Sequence, residues 1–127
     1  MHVLGRMIEA VKPEGLILDL QVIRPDPPVE RDGCIVAWVD YDPVFQWADA
    51  ARAAVDARIE AGYLVEEAVD DHDVLEHYAD GVELVERFAT SKRRLVDRDV
   101  PRIRAIDGPL TTRERCRLRR LRVNVRP

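Results

Sequence analysis

Apolar residues fall along this chain in blocks whose spacing changes from helical to strand-like and back. Leu4, Met7, Ile8 and Val11 recur at helical spacing and form one stripe. Lys12-Pro13-Glu14-Gly15 then stops the helix, with a basic residue in its last turn and proline just beyond. Leu16 to Ile23 is a near-continuous apolar run broken only by Asp19 and Gln21. Such a run predicts a strand covered on both faces, as in the middle of an α/β sheet. Three prolines between Arg24 and Pro28 make an extended connector. Val29 to Asp40 reads as a hairpin turning at Asp32-Gly33. Asp42 as cap and Pro43 at the first helical position then start a long helix. Its expected buried stripe is Val44, Trp47, Ala48, Ala51, Val55 and Ile59, and Gly62 ends it.

The second half is more broken. The stretch from Leu64 begins in a helix-compatible pattern and becomes strand-like, so a strand is expected from about residue 72. Asp80 and Glu83 stand at the spacing of a capping box. The helix behind them has Val82, Val85, Phe88 and Ala89 as its stripe. Asp99 to Ile106 is a second short helix, ended by Asp107-Gly108-Pro109. Thr112 to Val125 is a long strand in which Cys116 and Leu118 share one face while Leu121, Val123 and Val125 share the other register. A bulge near Arg119-Arg120 would turn all five inward. Residues 1–127 thus read as one α/β domain, a mixed sheet with flanking helices and no internal repeat.

Composition adds three constraints. Hydrophobic residues at 46% and charged residues at 35% supply a core under a charged surface, which excludes wholesale disorder. Charges interrupt every apolar stretch before it reaches membrane-spanning length. Met-His-Val-Leu-Gly-Arg at the start has no apolar secretion-signal core, so a cytoplasmic location with Cys34 and Cys116 reduced and buried is expected. The net charge of -4 is uneven: Arg113, Arg115, Arg117, Arg119, Arg120, Arg122 and Arg126 crowd the last strand against the single acid Glu114.

The junction Val11-Lys12-Pro13-Glu14-Gly15, running straight into Leu16-Ile17-Leu18-Asp19-Leu20, resembles one in class I S-adenosylmethionine-dependent methyltransferases. There a helix ends in a similar turn and leads into the fifth strand of a Rossmann-like sheet. The resemblance implies that the chain corresponds to the C-terminal half of that fold, whose further parts are a long helix, an antiparallel strand, short helices and a terminal strand. In that family a glycine-rich loop and an acidic residue of the other half hold the cofactor. Here Gly5, Gly15, Gly33, Gly62, Gly81 and Gly108 give no G-x-G, and without closely spaced glycines the backbone cannot approach such a ligand. No cofactor-binding residue carries over. The resemblance implies a truncated methyltransferase-like sheet without its own S-adenosylmethionine site, acting through protein contacts or as a homodimer. The alternative is a split or divergent methyltransferase that acquires S-adenosylmethionine when another chain completes it.

Candidate chemistry is sparse, and no catalytic residue can be assigned. Asp70, Asp71, His72, Asp73, Glu76 and His77 have metal-ligand chemistry. The two histidines lie five apart, on opposite faces of a strand, so the spacing favours a solvated acidic turn over a metal. Arginine neighbours could activate Cys116, but its place in the apolar alternation favours a core thiol. Ser91, the only serine, has no histidine at triad spacing. Asp19, inside an apolar strand, must be paired or face a cleft; a guanidinium of the arginine strand is the expected partner. Alternating arginines could also bind nucleic acid. The acidic remainder and the lack of interleaved aromatics argue instead for an acid-paired strand face.

Overall fold

A computed structural model describes residues 2–12 and 14–124, with the backbone alone at His2. Pro13, Val125, Arg126 and Pro127, used in the sequence reading, lie outside the described residues. The elements are α1 (His2–Ala10), β1 (Leu16–Val22), β2 (Pro28–Arg31), β3 (Cys34–Asp40), α2 (Asp42–Glu60), β4 (Leu64–Tyr78), α3 (Gly81–Ala89), β5 (Arg94–Leu95), a 3-10 turn (Asp97–Asp99), α4 (Val100–Arg104) and β6 (Leu110–Val123). Six strands form one antiparallel sheet in the order β1-β6-β2-β3-β5, with β4 also paired to β6. The fold is therefore mixed α/β, with helices flanking the sheet.

The chain divides into two compact units. One comprises Met1–Gln21, Trp47–His72 and Cys116–Pro127; the other comprises Val22–Gln46 and Asp73–Arg115. In the first, Leu4 of α1, Ile17 of β1, Val55 of α2, Leu64 of β4 and Leu121 and Val123 of β6 make the core, with Ile8, Val11, Ala54 and Ile59 packed around them. In the second, Val29, Ala37 and Val39 of the β2–β3 hairpin meet Phe45, Tyr78, Leu84, Phe88, Ile103 and Leu110.

Local signals formed as their chemistry dictates. Asp32 and Gly33 both take positive φ (51° and 78°), the conformation a two-residue hairpin turn requires. Gly62 ends α2 at φ 87°. Asp80 Oδ1 accepts from the Glu83 N–H at 2.9 Å, and Glu83 Oε2 reaches back to the Ala79 N–H. The buried positions of β6 change parity between Cys116 and Arg119, from Leu110, Thr112 and Cys116 to Arg119, Leu121 and Val123; Leu118, expected inward, is half-buried and Arg119 is buried in its stead.

Several expectations need correction. β1 is not central or covered on both faces. It ends the sheet with β6 as its one neighbour, and Leu16, Leu18 and Leu20 are 47%, 64% and 55% exposed. Asp42 is the first helical residue rather than the cap: the Tyr41 C=O accepts from Phe45 N–H at 2.7 Å, and Asp40 Oδ1 caps the Asp42 N–H. Phe45 is buried in α2, whereas Trp47 is 58% exposed. In α3, Leu84 joins Val85 and Phe88 inside, while Val82 and Ala89 face solvent. β4 begins at Leu64, eight residues before the expected start, so the acidic segment is strand and not turn. At the α1–β1 junction the positive φ (66°) falls on Glu14. Gly15 is needed for space: a Cβ there would lie 2.3 Å from Val11 Cγ1.

Gly81 has the tightest surroundings, since a Cβ on it would lie 1.7 Å from the Ile103 carbonyl oxygen. Gly33 has open space and only its backbone to satisfy. We expect Gly81→Ala to cost about 3 kcal/mol by overpacking and Gly33→Ala about 1 kcal/mol by strain. Urea unfolding of both variants measures the difference, and equal costs would contradict the close α3–α4 approach.

Candidate functional site

The arginines of β6 were expected to form an acid-paired strand face, and the structure fills that row with acids. Arg113 meets Glu30 (2.8 Å) and Asp73 (3.2 Å), and Arg115 meets Asp73 (3.1 Å). Arg117 meets Asp71 (2.8 Å), and Arg120 and Arg122 share Glu67 at 3.2 and 2.6 Å. Arg119 turns to the other face, where its side chain is 8% exposed between Glu66 (2.6 Å) and Asp56 (2.9 Å). Each described arginine of β6 therefore holds a carboxylate. The acid-paired face has formed, and the acids come mostly from β4.

These pairs hold the carboxyls in their charged form. The Arg122 guanidinium, with Arg120, holds Glu67 below its ordinary 4.5; Arg115, with Arg113, holds Asp73 below 3.8. Asp40 is lowered by Arg94 in the same way.

The candidate metal ligands do not converge: no group of three or more histidine, cysteine or acidic side chains stands at metal-binding geometry among the described residues. Asp71 and Asp73 are committed to arginines. His77 Nδ1 lies 3.1 Å from Thr111 Oγ1. Ser91 serves a helix end, its hydroxyl donating to the Phe88 carbonyl at 3.3 Å. Cys116 is buried as expected, but Cys34 is exposed, and no disulfide joins them.

Sequence reasoning missed a polar cluster in the second unit. The Tyr41 hydroxyl donates to Glu114 Oε2, and the Tyr78 hydroxyl donates to Glu76 Oε2 at 2.6 Å. Arg93 Nη1 reaches Glu76 Oε1 at 3.0 Å and the Tyr78 hydroxyl at 3.5 Å. Burial and then the Glu114 carboxylate push the Tyr41 phenol far up, and burial and Glu76 raise Tyr78. Burial works against the Glu76 anion, but Tyr78 and Arg93 outweigh it and the carboxyl is lowered. Both phenols stay protonated at neutral pH and act as donors, so the cluster is a satisfied network without a poised base. Tyr41 and Glu114 are 73 residues apart, and no local pattern announces such a pair.

β1 is different. Its leucines face solvent, Asp19 has not found the expected arginine, and its hydrogen-bonding edge beyond β6 has no neighbouring strand among the described residues. Asp19 Oδ1 accepts from Gln21 Nε2 at 3.0 Å, while Oδ2 is buried with no hydrogen-bond partner. β1 thus combines an open edge, a row of exposed leucines and a buried carboxylate oxygen without a partner; on β4, His72 Nδ1 is likewise buried with no hydrogen-bond partner and lies 3.1 Å from Asp70 Oδ2. No helix among the described residues is long and apolar enough to cross a membrane. Comparison with protein families, with curated proteins and with solved structures finds no match.

The charge ladder has a defined pH response. Glu67, Asp73, Asp40 and Glu76 have folded pKa values below their unfolded ones. Their contribution is complete above about pH 5 and is lost as pH falls through the depressed folded values. We expect the urea midpoint to fall between neutral pH and about pH 3, and less steeply in high salt, which screens exposed pairs. A second expectation concerns the buried guanidinium. The double variant Glu66→Gln/Asp56→Asn leaves Arg119 buried and unpaired, costing about 3 kcal/mol, whereas Arg119→Met removes the charge itself and costs about 1 kcal/mol. Equal losses in urea unfolding would contradict this asymmetry.

Proposed function

We propose that the chain is a methyltransferase-like remnant without an S-adenosylmethionine site of its own, working in the cytoplasm through protein contact as a homodimer joined at the free edge of β1. The observation that carries the proposal is how differently the chain treats its strand edges. β5, at the far end of the sheet, has two residues, and β4 interleaves its exposed Val65, Val69, Val74 and Leu75 with Glu66, Glu67, Asp70, Asp71, Asp73 and Glu76. Shortness and charge are both means of keeping an edge from pairing with another chain. β1 has seven residues, and its solvent-facing side is Leu16, Leu18 and Leu20.

A second copy answers what β1 leaves open. An antiparallel partner strand supplies the missing hydrogen bonds, as in strand-addition complexes. With the two-fold axis at Leu18, Leu16 lies opposite Leu20 of the partner subunit, and the apolar side chains of both copies line one face. An axis at Asp19 would set two carboxylates against each other, which disfavours that register.

β1, α2, β4, α3, α4 and β6 occur in the order the resemblance implies for a C-terminal half, with the β2–β3 hairpin and β5 standing among them. The edge left open is the one that loss of the preceding strands would uncover. Completion by a different chain supplying those strands would use the same edge and is the alternative.

Light scattering of the purified chain checks the proposal. We expect a mass twice that of one chain, and a folded single-chain mass for Leu18→Glu, since Leu18 is solvent-exposed. A wild-type monomer at high protein concentration would overturn the dimer and turn attention to a completing chain. Calorimetric titration of the same sample with S-adenosylmethionine is expected to give no binding heat; one-to-one binding would overturn the remnant.

A further inference from the structure

A cavity of about 150 Å³ lies among α1, β1 and α2 in the first unit. Its walls are aliphatic, with Leu4 and Met7 from α1, Ile17 from β1, and Ala51 and Val55 from α2. Asp19 and Gln21 supply its polar lining. Met7 and Leu18 line it and are also exposed, so solvent reaches it from that side.

Asp19 makes this cavity chemically specific. One carboxylate oxygen is occupied by Gln21, while the other is buried without a partner. A buried, unmatched carboxylate oxygen is costly, and a cation with N–H donors offsets that cost. Gln21 donates one of its two amide N–H groups to Oδ1, and nothing donates to Oδ2, so the polar end of the cavity calls for a donor.

We propose that this cavity binds a small primary aliphatic amine, with its ammonium on the Asp19 carboxylate and its alkyl chain between α1 and α2. Geometry selects ammonium over guanidinium. A guanidinium binds best through two parallel donors to both oxygens, and here only one is free; an ammonium is a point charge that a single oxygen can hold. The volume, roughly five waters' share of liquid, suits an unbranched chain of about four to six carbons. The aliphatic walls disfavour a second charge along that chain. The walls of this site come from one chain, and of the β1 leucines on the proposed dimer face only Leu18 lines it.

The test is calorimetric titration of the full chain with n-pentylammonium, n-pentanol and pentanoate at neutral pH. We expect the ammonium to bind roughly tenfold or more tighter than the alcohol, as a charge-assisted hydrogen bond should, with pentanoate not binding. Asp19→Asn keeps the shape and removes the charge, so it should erase the preference of ammonium over alcohol. It should also melt no lower than wild type without ligand, because it relieves an uncompensated charge. Ala51→Leu fills the cavity from α2 and should abolish binding of both ligands. No binding by wild type, equal affinity for ammonium and alcohol, or an undiminished preference in Asp19→Asn would each overturn the proposal. A lower melting temperature for Asp19→Asn would also count against it, because it would show that the carboxylate already has a partner.

Discussion

Guanidinium and carboxylate groups face each other along β6 and β4, and the place of β4 in the sheet depends on that meeting. Only Leu64 and Tyr78, at its two ends, are buried; the residues between them are exposed or nearly so. A strand with so little apolar burial gains little from the hydrophobic effect. Backbone pairing to β6 and the run of ion pairs from Arg122–Glu67 to Arg113–Asp73 hold it instead. Singly, such exposed pairs contribute little; a connected series with shared partners is the arrangement in which they count. Glu67 and Asp73 each serve two arginines.

That ladder also explains the uneven charge of the sequence. Basic residues gather in one strand and acids in another because the two strands pair. What resembled a polyanion-binding surface is one half of an intramolecular match. Arg119 departs from the pattern: it is nearly buried and takes acids from both α2 and β4. A buried guanidinium tolerates loss of its own charge better than loss of its partners.

How much could be read in advance follows the range of each interaction. Asp80 with Glu83, Asp32-Gly33 and Gly62 act within a few residues, and each formed as its chemistry requires. The change of buried parity along β6 was legible because the parity of apolar positions breaks within one strand, but Arg119 rather than Leu118 takes the inward place. The mixed α/β class followed from the order of such blocks. By contrast, the start of β4 at Leu64 was hidden, because its acids and valines look indifferent to structure until the arginines of β6 are placed beside them. Trp47 and Phe45 could not be ranked from helical spacing, since several phases of the α2 stripe are apolar. The uncovered face of β1 was hidden for the opposite reason: a run of leucines signals burial, and the chain alone does not provide it. Of the candidate residues, Asp19 was recognisable as an acid within an apolar strand in need of a partner, but which partner depends on the sheet order.

Asp19 and the leucines of β1 pose two different demands on one strand. The leucines are exposed, Leu18 at the mouth of the cavity included, and lack apolar cover, which a second sheet edge carrying the same leucines can give. Asp19 faces the helices and lacks a donor, which an apolar partner surface cannot give. A single occupant does not meet both, because alternate residues of a strand point to opposite faces. Two occupants of different chemistry do: a protein surface on the open face, and a small cation in the cavity behind it. The strand order leaves room for both, since pairing at the edge of β1 uses backbone groups and neither requires nor displaces the Asp19 carboxylate.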